Sequence, residues 1–238
     1  MLLRTIVSVT LASAIACFAG SAAAVAIAPT LLSDPGVTLN TTGISTYTTG
    51  GDDMAGMVVT AYFDDATSES GVWTVTGTDA GAASGTGWSL SLNDSTTWTG
   101  VWTLDLSSLG SVMITGLEIN GRPGDTVFDI LGPDPDQLGT PGSDQGKPIS
   151  SVDGPSGLSV TATYRNEVEL NSVYYGDLYT ILDLEFGGTV GGLVQGDAFS
   201  FIADSDNSMA AIVPEPSTGL LLGLGLVMLA GRRTRARG

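Results

Sequence analysis

Carboxylates are the residues of this chain whose type and spacing could do chemistry. They come in pairs and near-pairs: Asp52-Asp53, Asp64-Asp65, Asp134-x-Asp136 and Asp204-x-Asp206-Asn207. Ca²⁺ takes about six to eight oxygen ligands, which Asp, Asn and loop carbonyls supply. Asp204, Asp206 and Asn207 are therefore the candidate metal set. The run from Asp204 opens like an EF-hand loop, but Met209 stands where that loop needs Gly. The metal reading is a calcium site in a sandwich loop. The other reading is solvated turn aspartates, which favour such positions through Asx-turn hydrogen bonds.

Paired carboxylates also raise glycoside hydrolysis, which needs an acid and a base or nucleophile on facing walls. Glu118, Glu167, Glu169 and Glu185 lie in strand-like runs and are the members such a pair would draw on. With 25 acidic residues in the chain, some pair always looks suitable, so the choice carries little weight. The chain has no His, and its one Cys is Cys17 near the N-terminus. That removes the commonest general base, the Cys nucleophile and the usual zinc ligands from everything downstream. The expectation is a protein without enzymatic activity. Aromatic side chains offer a different chemistry, stacking on sugar faces. Trp73, Trp88, Trp98 and Trp102 fall in step with aliphatic neighbours, which assigns them to a core. Tyr174 and Tyr175, beside Gly176, are the better candidates for an exposed ligand platform. Threonine pairs such as Thr46-x-Thr48 raise ice binding, but such surfaces need many regular ranks and here they are few.

The elements that must position these groups read as strands. Leu158, Val160, Ala162, Tyr164, Val168 and Leu170 are opposed by Ser159, Thr161, Thr163, Arg165, Glu167 and Glu169, the cleanest period-2 pattern in the chain. Asn166 interrupts its apolar face and predicts a hairpin turn or a bulge. Trp88, Leu90 and Leu92 share a face, as do Trp98, Trp102, Leu104 and Leu106, and Leu182, Leu184 and Phe186. Met57 to Phe63 has apolar residues on both sets, which predicts burial on both faces. Shorter strands are expected over 112–119, 126–131 and 198–202. Gly81 to Gly87 reads as a Gly-rich turn, and Gly132 to Gly157, with five prolines, as a long structured loop. No internal stretch carries a helical stripe. About nine or ten short strands predict an all-β fold, an antiparallel β-sandwich or jelly-roll-like domain.

The two ends differ from this body. Residues 1–24 read as a signal peptide and its helix: Arg4, an apolar run from Ile6 to Phe18, then Ser21-Ala22-Ala23-Ala24 before a cleavage point after Ala24 or Ala26. Cys17 is a filler of that apolar run, since a lipoprotein site wants a Leu-like residue where Ala14 stands. Residues 213–238 have three parts. Pro214 and Pro216, flanking Glu215, keep the chain extended. A run of 14 residues from Thr218 to Gly231 is apolar, short of the roughly 20 that a stable transmembrane helix needs. Arg232, Arg233, Arg235 and Arg237 form a basic stop that resists translocation. This arrangement resembles the bacterial PEP-CTERM sorting signal. The resemblance implies an exported protein of a Gram-negative-type bacterium, handled by the Sec translocon and signal peptidase. It then implies a membrane-embedded exosortase, an inner-membrane intermediate held by a transient C-terminal helix, and release to the cell surface or extracellular matrix.

Between these ends, residues 25–212 form one expected domain. It holds 24 of the 25 acidic and 3 of the 8 basic residues, a net charge of −21. Such a surface repels nucleic acid and anionic headgroups and attracts divalent cations. No cofactor is implied beyond a candidate Ca²⁺. The stretch from Ala55 to Pro148 is also similar to a body type found on other proteins with this tail, through Gly85-Thr86-Gly87-Trp88, Asn120-Gly121-Arg122-Pro123-Gly124-Asp125 and Gly139-Thr140-Pro141-Gly142; that similarity brings no activity. The expected function is a structural or adhesive role among exopolysaccharide. The alternatives are a carbohydrate-binding β-sandwich module and a carboxylate glycoside hydrolase.

Overall fold

A computed structural model of the chain describes residues 25, 27–32, 39–46, 48–130, 146–173, 176–208 and 213–214. The signal helix expected over 1–24 and the apolar helix expected over 218–231 lie outside the described residues. Seventeen strands run in chain order among the described residues. The first five are β1 (Ile27–Leu31), β2 (Leu39–Thr41), β3 (Ile44–Thr46), β4 (Val58–Phe63) and β5 (Ser68–Val72). The next four are consecutive partners: β6 (Thr74–Gly77), β7 (Ala80–Gly85), β8 (Trp88–Asn93) and β9 (Trp102–Leu106). β10 (Ile114–Asn120), β11 (Thr126–Asp129) and β12 (Ser150–Asp153) precede the two longest strands, β13 (Leu158–Leu170) and β14 (Leu178–Gly188). β15 (Ala198–Ile202), β16 (Ser205–Ser208) and β17 (Val213–Pro214) follow. Among the described residues the one helical piece is a 3₁₀ turn at Arg122–Gly124, so the fold is all-β as the periodicity predicts.

The strands form two sheets. The larger runs β17-β2-β13-β14-β10-β4-β5, with β1, β11, β16 and β3 attached along it; the smaller runs β12-β15-β9-β8-β7-β6. Pairing is antiparallel except where β1 and β2 each lie parallel to successive parts of β13. The β13–β14 hairpin is the spine of the large sheet. Its turn places Asn171 and Ser172 at φ of 52° and 62°, with Leu170 and Val173 exchanging backbone hydrogen bonds. This left-handed two-residue turn joins Leu170 to its bridge partner Val173, and β14 begins further on at Leu178. Asn166 turns nothing: β13 continues through it in register, with Asn166 itself at φ 57°.

Alternation decides which face is buried. Val59 and Ala61 of β4, Leu117 and Ile119 of β10, and Leu182 and Leu184 of β14 meet Trp88, Leu90, Trp102, Leu104, Phe199 and Phe201 of the small sheet in one apolar core. Aromatic rings run through it from Trp73 to Trp102 (5.2 Å between centroids), to Phe201 (5.9 Å), to Phe199 (5.5 Å) and to Phe186 (5.4 Å). Indole N–H groups buried here find acceptors: Trp73 donates to Gly51 O at 2.8 Å and Trp102 to Ala203 O at 3.1 Å. A smaller core of Leu39, Ile44, Val127, Val168, Leu170 and Leu178 fills the far end of the large sheet.

Four expectations are corrected. β4 is buried on one face only; Val58 and Thr60 are half-buried and Tyr62 is 41% exposed, because nothing in the described structure covers the outer face of the large sheet. Trp98 does not share the face of Trp102 but sits in the turn before β9, 37% exposed. The Gly-rich turn from Gly81 begins inside a strand, β7, whose small residues are needed: a Cβ on Gly81 would lie 2.1 Å from the Trp73 indole nitrogen. The long loop from Gly132 contributes a strand, β12, paired to β15.

Candidate functional site

The outer face of the large sheet holds an open groove of about 590 Å³. Its floor is built by register. Glu118 of β10 lies directly opposite Asp183 of β14, which lies opposite Thr163 of β13. One row along, Tyr62 of β4 faces Gly116 of β10, which faces Glu185 of β14. Two carboxylates directly opposed would repel. Arg165, reaching diagonally from β13, prevents this. Its Nε and Nη2 donate to both oxygens of Asp183, the latter at 3.1 Å, and Nη2 also donates to Glu118 Oε2 at 2.9 Å. A planar guanidinium donating in parallel to a carboxylate is the strong form of this contact. The hydrogen bond to Asp183, more than any other influence, raises the Arg165 pKa above its ordinary value. Burial, then the charges of Glu118 and Asp183, raise the Tyr62 phenol as well, so it stays protonated as a donor.

A second cluster lies where β11, β14 and β16 meet. Asp129, Asp177, Asp204 and Asp206 are all buried there. Backbone ties hold them close: Asp129 N–H donates to Asp204 O at 3.2 Å, and Ile130 N–H to Asp177 O at 2.9 Å. Thr97 Oγ1 donates to Asp204 Oδ1 at 3.1 Å. Burial, then the charge of Asp206, pushes the Asp204 carboxyl up to about 7. Burial also raises Asp206, against a side-chain hydrogen bond with Asp129 that lowers it. Glu167, half-buried nearby, is raised by burial and then by Asp177. Lys147 is the cation whose charge reaches Asp204, but its ammonium donates to Trp98 O at 3.1 Å and sits 5.4 Å from the Trp98 ring.

The predicted residues are distributed unevenly between these places. Asp204 and Asp206 come together, but with Asp129 and Asp177 rather than with Asn207, and in and beside a paired strand rather than in a loop. Asn207 points to a different neighbourhood: its Oδ1 accepts from Thr49 Oγ1 at 2.8 Å and its Nδ2 donates to Asp53 O at 2.9 Å. Among the described residues no group of three or more His, Cys, Asp or Glu is arranged to hold a metal ion. Asp53 and Asp65 are turn aspartates, accepting from Gly50 N–H and Thr67 N–H at 2.9 Å each. Of the four glutamates, Glu118 is committed to Arg165, Glu185 is exposed in the groove, and Glu167 and Glu169 lie further along β13. Tyr174 and Tyr175 lie outside the described residues. The sequence reading missed Asp183 and Tyr62; the signal was the polar set of each strand, which becomes a site only once the strands are placed side by side.

Among the described residues the tail meets the body at β2. Val213 and Pro214 form β17 against β2, Val213 opposite Asn40 and Pro214 opposite Leu39. Glu215, Pro216 and the four arginines from Arg232 to Arg237 lie outside the described residues, and among those described no helix is long and apolar enough to cross a membrane. A family model, the PEP-CTERM protein-sorting motif, matches residues 213–236. No curated protein and no solved structure matches the chain. The matched motif, about a tenth of the chain, implies an extracellular protein whose C-terminus is processed by an exosortase.

Proposed function

We propose that this chain is a structural or adhesive component of an extracellular polysaccharide matrix, without enzymatic activity, whose body holds glycan. The observation that carries the reading is the conjunction of an export-and-processing motif at 213–236 with a strongly acidic all-β body. On this reading the Sec translocon and signal peptidase act first. The apolar run from Thr218 to Gly231 then holds an inner-membrane intermediate until the exosortase acts. The arginines from Arg232 stay on the cytoplasmic side, and the body is left at the cell surface or in the matrix. The outer-face groove supports the carbohydrate-binding form of this reading over a purely passive one. It presents an exposed phenol beside fixed hydrogen-bonding groups, the arrangement ligand sites use to orient what they hold. The hydrolase alternative has less support: Glu118 and Asp183 are both bound to Arg165, which leaves neither placed as a free acid.

Intact mass of the protein recovered from the matrix of its own host tests the processing. The expected product lacks the arginine-rich end. Recovery of a chain that still ends in Arg237-Gly238 overturns it.

A further inference from the structure

We infer that the groove between Tyr62 and Arg165 is a binding site for one strand of an uncharged polysaccharide. The inference rests on the matrix reading above and gives it a site and a ligand class.

Three observations select this occupant. The first is charge. Glu118, Asp183 and Glu185 face a single guanidinium, so the groove carries a net charge of −2 inside a body at −21. That field excludes uronate and sulfate polymers. The second is the kind of surface. β4, β10, β14 and β13 are hydrogen-bonded to one another beneath the groove, so its floor offers no unpaired strand edge to an extended peptide. Its exposed apolar surface is small, chiefly the Tyr62 ring and Leu32, which does not suit an amphipathic helix. The third is the polar pattern. Arg165, Asp183 and Glu118 are locked to one another, and Thr163 stands beside them across the strands. Within a row, groups on adjacent strands stand about one strand separation, roughly 4.8 Å, apart, close to the width of a sugar ring. Fixed donors and acceptors of this kind pair with neighbouring hydroxyls without first being ordered, which reduces the cost of binding.

Gly116 completes the shape. It lies between Tyr62 and Glu185, and a Cβ there would stand 3.9 Å from Tyr62 Cδ2 and 3.0 Å from Leu184 O. The missing side chain leaves a depression against the phenol ring into which a pyranose face can pack.

The test uses the full-length chain in mild detergent, with affinity electrophoresis and titration calorimetry against hydroxyethyl cellulose, dextran, galactomannan, alginate and chitosan. At least one of the three neutral polymers is expected to bind, with alginate inert. Tyr62→Ala should weaken that binding at least tenfold with an unchanged melting temperature, and Tyr62→Phe, which keeps the ring, should retain most of it. The inference is overturned if no neutral polymer binds, if alginate binds more tightly, or if Tyr62→Ala binds like the parent. Binding confined to chitosan and abolished by salt also overturns it, as simple ion exchange. Loss of the glycan result with a correctly truncated mass from the matrix would sink the site alone and leave the matrix reading standing.

Discussion

The groove and the buried aspartate corner solve the same problem in opposite ways. Both crowd carboxylates that would repel one another. In the groove, partly buried Glu118 and Asp183 share one guanidinium that water still reaches. In the corner, Asp129, Asp177, Asp204 and Asp206 are buried, and the Lys147 ammonium is turned toward Trp98. Burial holds the Asp204 and Asp206 carboxyls above the ordinary carboxylate range, so protons share in balancing the charge. A crowd of like charges balanced by arginine is nearly indifferent to pH near neutrality. One balanced by protons is not.

The largest effect should therefore be the pH dependence of stability. An unfolded aspartate ionises near pH 4, whereas folded Asp204 ionises near 7. Between these values the folded state holds a proton that the unfolded state lacks. Stability then falls as pH rises from about 4 through about 7, and the full penalty is present above that. Asp204→Asn keeps the acceptor for Thr97 and removes the charge. It should stabilise the protein at pH 8 by about 2–4 kcal/mol while changing it little at pH 5. Urea midpoints at the two pH values check this, and equal gains at both would break the contrast. Calcium acts on the same balance. If Asp204 and Asp206 hold it, chelator should lower the melting temperature at pH 8 by several degrees and spare the Asp204→Asn variant. A melting temperature indifferent to chelator assigns the neutralising role to protons.

Arg165→Met comes next. It leaves Glu118 and Asp183 facing each other without a cation, and about 2 kcal/mol of stability should be lost at pH 7, discounted from a fully buried pair because the groove is wet. The sign is the reverse of that expected for Asp204→Asn at pH 8, and guanidine melts of the two variants check it. The smallest effect is expected at Tyr164→Phe. The Tyr164 hydroxyl accepts the Ile149 N–H at 2.9 Å, and its loss strands that donor for about 1–2 kcal/mol, independent of pH. A pH-dependent change there would mean that Tyr164 belongs to the aspartate corner and not to the core.

How much of this could be read in advance varied with the length scale of the cause. Leu158 to Leu170 announces itself by alternation because the strand is exposed on one face, and the same holds for Trp88 to Leu92. Ala80 to Gly85 is silent by the same criterion. Its residues are small because β7 runs beneath Trp73, and small residues read as turn. Trp98 keeps the even-numbered parity of Trp102 but sits in a turn where parity means nothing. The groove and the corner were harder still. Arg165 meets Asp183 across 18 residues and Glu118 across 47, and only register brings them together. The nearest clue was that Arg165 is one of three cations in the body, standing in the polar set of its best-defined strand. Asp204 and Asp206 were visible as a pair, but Asp129 and Asp177 join them through strand pairing that no local motif encodes.

The short strand β17 has a mechanical consequence. Ser208 is tied to Asp125 by its N–H at 2.7 Å, and Val213, five positions later, is stitched to Asn40. Five residues can span at most about 18 Å. The stitch to β2 therefore fixes where the chain leaves the domain: whatever follows Pro214 starts from the β17 border of the large sheet.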